Sequence, residues 1–247
     1  MIPLPEREKK SGQKAFRRMN FSQKVEFILT YYKLPIFTAL IAAAVLISAA
    51  VRFFTRKETV LYAAFANVAV GETLDEYLTD SYLLGTDRDP KKYEIIVYRD
   101  LYLADDPSAE DHQYAYASKL KVLGAIEAKQ LDVVLMNRDA YDQMSASGFL
   151  LELDDLLTQD SRLHASIEPF LCENTVILED NAVAYNLGKD EVYKAVTDTL
   201  CNAVDISSLG AMKSAGFNDT VYFGIIANTT HTEECLRWLA YLCDTAD

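Results

Sequence analysis

Three histidines (His112, His164, His231) and four cysteines (Cys172, Cys201, Cys235, Cys243) are the side chains of this chain best suited to nucleophilic, acid–base or metal chemistry. Their spacing forms no catalytic signature. There is no Gly-x-Ser-x-Gly elbow, no glycine-rich phosphate loop and no His-Glu-x-x-His pair, and the histidines stand apart from one another. The acid pairs Asp105-Asp106, Asp154-Asp155 and Glu179-Asp180 lack the alternating oxygen ligands of a calcium loop, so they read as turn and helix-cap residues. Cys235 and Cys243 fall on one helical stretch, about 12 Å apart at 1.5 Å of rise per residue, beyond disulfide reach. The cysteines otherwise allow three pairings or none, with buried free thiols as the plainer reading. The expectation is a protein without catalytic residues, metal or cofactor.

Binding chemistry is better represented. Asn67, Arg99, Asp100, Tyr102, Asn137 and Arg138 each follow a strand-like run. In a parallel sheet, ligands bind in the crevice beyond the carboxyl ends of the strands, which is where these six residues are expected. A guanidinium at Arg99 suits a carboxylate, a tyrosine suits a ring or sugar, and the asparagines suit orientation by hydrogen bonds. Asn67 and Asn137 equally suit turns and caps.

The elements that must position them follow from periodicity. Thr59 to Asn67 (TVLYAAFAN), Tyr93 to Arg99 (YEIIVYR) and Leu131 to Asn137 (LDVVLMN) predict strands, the last buried on both faces. Between them lie a helical segment with Leu74, Tyr77 and Leu78, and a helix from Ser108 to Lys129 whose stripe is Tyr116, Leu120, Leu123 and Ile126. Arg138 to Ala146 predicts a helix ended by Gly148. Strands alternating with helices imply right-handed crossovers and a parallel sheet in a three-layer α/β domain. Further on, Leu163 to Leu171 predicts a helix interrupted by Pro169. Thr175 to Leu187 predicts a hairpin about Glu179-Asp180-Asn181. Val221 to Asn228 predicts a strand, and Thr232 to Cys243 an amphipathic helix with Leu236, Leu239 and Leu242 inward.

Leu34 to Val51 holds eighteen residues without a charge. At 1.5 Å per residue it covers roughly 27 Å, and Phe53 and Phe54 extend it, which is the length of a membrane span. Charge divides sharply around it. Up to Lys57 there are eleven Lys or Arg against three acids, +8; the whole chain has 24 and 37, so thirteen and thirty-four remain beyond, −21. Eight of the eleven basic residues precede the apolar run, so the positive-inside bias places residues 1–33 in the cytoplasm as a basic tail and juxtamembrane helix, 34–54 across the membrane, and 58–247 outside. Cleavage after the small residues Ser48-Ala49-Ala50 is the rival, but the apolar run exceeds the usual signal-peptide core of about 7 to 15 residues. The acidic outer part excludes nucleic acid as a partner, and the basic tail suits anionic headgroups.

Three pieces in order, LDVVLMNRDAYDQMSASGFLLELDDLL, TVILEDNAVAYNL and VYFGIIANTTHTEECLRWLAYL, resemble landmarks of the bacterial extracellular solute-binding proteins with the type 2 periplasmic-binding fold. The resemblance implies a solute-binding lobe working with a transporter or another membrane protein. In that family a second lobe follows the hinge; here about thirty residues separate Leu187 from Val221, so the chain looks like a reduced, single-lobed relative. Two functions stay open: a tethered lobe binding a small ligand, and an interaction module of a membrane assembly that no longer binds one.

Overall fold

The computed structural model describes residues 20, 33–104, 111–158, 160–182, 185 and 192–243. Contacts divide the chain into two units, Met1–Arg56 and Lys57–Asp247. The expected cytoplasmic tail and juxtamembrane helix fall outside the described residues, apart from Asn20 and Lys33. In the first unit the apolar run forms one helix, α1, Lys33–Thr55. Its described apolar side chains, from Leu34 and Phe37 to Ile47 and Val51, are exposed. Thr38 returns its hydroxyl to the carbonyls of Leu34 and Pro35, which answers a polar group on an apolar helix. Among the described residues, whose side chains in α1 run uninterrupted only over 37–48, no helix is long and apolar enough to cross a membrane.

The second unit is built on a six-stranded sheet ordered β2-β1-β3-β6-β5-β4. β1 (Glu58–Ala66) lies parallel to β2 (Tyr93–Leu101) and to β3 (Val133–Met136). The all-parallel expectation holds for these three strands only. β6 (Tyr222–Ile225) runs antiparallel to β3, and β5 (Ala195–Asp205) and β4 (Leu171–Asp180) continue antiparallel, so the sheet is mixed. The β4–β5 connection is a hairpin, and antiparallel neighbours need no crossover.

Helices cover both faces, giving the expected three layers. One face carries the helix over residues 72–85, α2, with α8 (Thr232–Cys243), α7 (Gly210–Ala215) and the segment with α5 (Asp154–Leu157) and α6 (Ser161–Ile167). The other carries α3 (His112–Glu127) and α4 (Arg138–Ala146). β3 is buried along its whole length, as its unbroken apolar run requires of a strand with helices on both faces. At Gly224 in β6, an added Cβ would lie 2.9 Å from the side-chain ends of Leu150 and Met136, so a larger residue there requires those two side chains to shift.

α2 starts at Glu72–Glu76, passes through a π-helical turn, Tyr77–Ser81, and ends at Tyr82–Gly85. A π-turn displaces the regular ladder and offers carbonyls to side chains. Leu78 O accepts from the buried Trp238 indole N–H at 3.0 Å, and Tyr77 O accepts from the Tyr241 hydroxyl at 3.4 Å. The turn therefore locks α2 to α8.

Two sequence expectations are corrected. The stripe assigned to α3 includes Tyr116 and Leu120, which are 60% and 50% exposed; the buried face is Ala115, Ser118, Val122, Ala125 and Ile126. Three of these five are small, and Val122 and Ile126 supply the larger apolar contacts of that face. The hairpin does not fold about Glu179-Asp180-Asn181 within 175–187. Those acids end a ten-residue β4, whose partner begins at Ala195, with Asp180 opposite Ala195. Asn181 closes this end, donating its backbone N–H to Lys194 O and its side-chain amide to Val192 O.

Candidate functional site

The carboxyl ends of β1 and β3 are stitched together by two asparagines. Asn67 ends β1 in the left-handed region (φ 58), which asparagine tolerates better than most side chains. Its backbone N–H donates to Leu101 O at 2.8 Å. Its amide donates to Leu103 O at 2.5 Å and to Asn137 Oδ1 at 3.1 Å, while its Oδ1 accepts from Leu103 N at 2.7 Å. Both of its amide hydrogens are thus used. Asn137 caps α4, its Oδ1 accepting from Ala140 N at 3.0 Å. Asn137 Nδ2 has no hydrogen bond among the described residues, and no buried side-chain nitrogen or oxygen is left unpaired, so this amide faces open space.

That space is a cleft of about 320 Å³. It is lined by Asn67, Val68, Gly71 and Leu74 after β1, by Asn137 after β3 and by the 215–221 loop. Gly216, at φ 66, ends α7 in the left-handed conformation that favours glycine and turns the chain into that loop. Asn218, Asp219 and Thr220 supply the loop's polar groups to the cleft, and Phe217 its ring.

The other four predicted site residues do not line this cleft. Arg99 is spent on Asp75, with its Nε and Nη2 at 2.9 and 2.6 Å from the carboxylate, so it ties β2 to α2. Asp100 (φ 57) accepts the Tyr114 hydroxyl on its carbonyl. Tyr102 stacks on Tyr114 with ring centroids 6.4 Å apart and donates its N–H to Ser118 at 3.1 Å. Together these two fasten α3 to the end of β2. Arg138 pairs with Asp142 at 2.9 Å and lies over the rings of Tyr141 and Tyr222, 5.5 and 5.9 Å from their centroids.

Sequence reasoning missed a cluster at the opposite end of the sheet. Asp132, 1% exposed just before β3, accepts from Tyr62 N–H at 2.8 Å, from the Thr229 hydroxyl and from His231 Nδ1 at 3.1 Å. His231 is therefore oriented by a buried carboxylate and borders a crevice of about 600 Å³ with Arg88, Tyr93, Glu233 and Arg237. The only sequence signal was a lone acid within an otherwise apolar strand run. The Thr229 hydroxyl is committed to Asp132.

Beside it, Glu234 gathers Arg88 (Nη2 at 2.9 Å), Arg237 (2.7 Å) and the Tyr82 hydroxyl. Burial raises the Glu234 carboxyl, but the hydrogen bonds from Arg88 and Tyr82 and the two guanidinium charges outweigh it, and the net shift is downward. Burial, with Glu234 adjacent, pushes the Tyr82 phenol well above its ordinary value. Burial also pushes the Cys201 thiol up to about 12, with Asp154 adding to the rise. None of the four cysteines is in a disulfide. Among the described residues no group of three or more His, Cys, Asp or Glu is placed to hold a metal ion.

No family model and no curated protein matches this chain. Among solved structures, the Corynebacterium glutamicum OxyR C206 mutant is similar at 13% identity, over 88% of this chain and 72% of that one. The TM-score is 0.26.

Proposed function

We propose that residues 58–247 are a non-enzymatic, extracytoplasmic ligand-binding lobe of the type 2 periplasmic-binding kind, held at the cell membrane by a single span over residues 34–54. The span and its orientation rest on the charge-free run and on the asymmetry of basic residues about it. The observation that supports ligand binding is the cleft at the ends of β1 and β3, where a free amide at Asn137 meets the polar 215–221 loop. Such a site suits a small polar solute, with transfer to a transporter as the expected partnership. Arg99 takes no part in it, because Asp75 holds its guanidinium.

The test is a thermal-shift screen of the full chain in mild detergent against sugars, amino acids, short peptides and polyamines. A true ligand at a hundred times its Kd stabilises by about 2.7 kcal/mol. Asn137→Ala should abolish the shift, and Arg99→Ala should lower the baseline melting temperature but leave the shift intact. Silence across the screen refutes the solute-binding reading.

A second reading, an interaction module of a membrane assembly, is favoured by one observation. The outer half of the β4–β5 hairpin is exposed, with Leu178 and Val196 each 58% accessible. A specific crosslinked partner without any solute shift is its expected signature.

A further inference from the structure

The hairpin leaves the sheet. β5 shares ladder pairs with β6 only at Val204 and Asp205, and at Cys201 its carbonyl accepts the N–H of Leu153. Among the described residues, Ala195 to Leu200 has β4 on one side alone. Eight residues of β4, 173–180, therefore reach about 26 Å at 3.3 Å per residue as a two-stranded ribbon. Such a ribbon has two edges, and natural sheets blunt their edges.

The two edges are treated differently. On β4, the Tyr141 hydroxyl lies 3.1 Å from Cys172 O, and Ser145 Oγ donates to Thr175 O at 3.1 Å. Asn174 takes the Thr175 N–H at 2.7 Å and donates to Asp142 at 2.8 Å. Further out, the register slips at Leu178, leaving a bulge, and Glu179 and Asp180 follow. Side chains, a bulge and charges all close this edge. On β5, the sequence AVTDTL offers β-branched residues and a single acid.

The ladder also fixes which amides look outward. Thr175 and Thr199 face each other, and each N–H is taken by the preceding side chain, Asn174 and Asp198, at 2.7 and 2.9 Å. They form a non-hydrogen-bonded pair, whose N–H and C=O groups point away from the partner strand. Two residues on, Thr197 opposite Ile177 repeats that orientation, and no side chain among the described residues answers its N–H.

We propose that the open edge of β5, Ala195–Leu200, accepts an extended cationic segment of a partner protein as an added strand. Backbone pairing supplies the affinity, and alternate side chains of the guest meet the ribbon's faces. Charge selects the guest. Among the described residues from Leu171 to Asp205 there are five acids (Glu173, Glu179, Asp180, Asp198, Asp205) against Lys194, and residues 58–247 carry −21 overall. A second copy would bring like charge to like charge, whereas lysines alternating with apolar residues complement the edge.

The experiment uses the full chain in mild detergent and fluorescence anisotropy with a ten-residue peptide alternating lysine and valine. Controls are the same peptide with alternate amides N-methylated and one alternating glutamate and valine. The lysine–valine peptide should bind at least tenfold tighter than either control. Thr197→Pro, which removes the outward N–H but no ladder bond, should weaken it at least tenfold. Thr197→Val should bind as the parent does, and matching melting curves for the two variants establish that the hairpin is intact. Equal binding of the N-methylated peptide, or equal binding by Thr197→Pro, overturns the proposal by reducing the effect to charge attraction. A dimer in light scattering that Thr197→Pro dissolves also overturns it, because the occupant is then a second copy.

Discussion

Glu234→Gln tests the polar lock between α8 and the end of α2. The substitution keeps the shape and an oxygen for the Tyr82 hydroxyl but removes the charge that answers Arg88, whose side chain is largely buried. Hydrogen bonds to charged groups contribute about 1.5 to 3 kcal/mol, and the exposed Arg237 pair about 0.3 to 0.5. The expected loss is about 2 to 3 kcal/mol, or roughly 4 to 12 °C in melting temperature for a domain of this size. Because the folded carboxyl is shifted downward, the stabilisation is fully present above the unfolded carboxyl value near 4.3 and is lost as pH falls through the lower folded value. The gap between parent and variant should hold from pH 8 to pH 5 and close below about pH 4. Melting curves by circular dichroism across that range decide it. A gap that persists unchanged to pH 3 would falsify the electrostatic account and assign the loss to packing. Arg237→Ala, by contrast, should cost under about 0.5 kcal/mol.

Trp238→Phe leaves Leu78 O in the π-turn without its donor and opens a cavity in the core. A loss of about 2 to 4 kcal/mol is expected, read by circular dichroism because Trp238 is the sole tryptophan; a melting temperature within 1 °C of the parent refutes the π-turn lock. At pH 8 a thiol whose value is about 12 is almost wholly protonated, and Cys235 is raised further by burial and by Asp132. Native protein should therefore show no labelling of Cys201 or Cys235 by maleimide on a timescale that labels all four in guanidinium. Rapid native labelling of either residue contradicts its placement in the core.

Much of the fold was legible because its signals are local. The apolar run of β3, the Asn137 cap with Gly148 after α4, and the 3.6-residue pattern of α8 each specify an element without reference to the rest of the chain. β5 was not legible. TDTLCNAVD changes from exposed to buried along its length, so no single periodicity marks it, and fourteen residues separate Asp180 from Ala195. The face of α3 was misread because three of its five buried residues are alanines and a serine, which bury less apolar area than Tyr116 or Leu120 would.

The six candidate site residues show the same division. The sequence by itself determined that polar residues end three parallel strands, that a charge-free run separates a basic segment from an acidic one, and that no catalytic motif is present. Only the tertiary structure decided which of those residues remain available. Arg99 found Asp75, 24 positions away, and Asn67 found Leu103, so their groups were spent on cohesion, while Asn137 kept a free amide in the cleft. Only it could bring His231 to Asp132 across 99 positions. The physical reason is that a residue's type sets which bonds it can form, but competition among partners gathered by folding sets which bonds it does form.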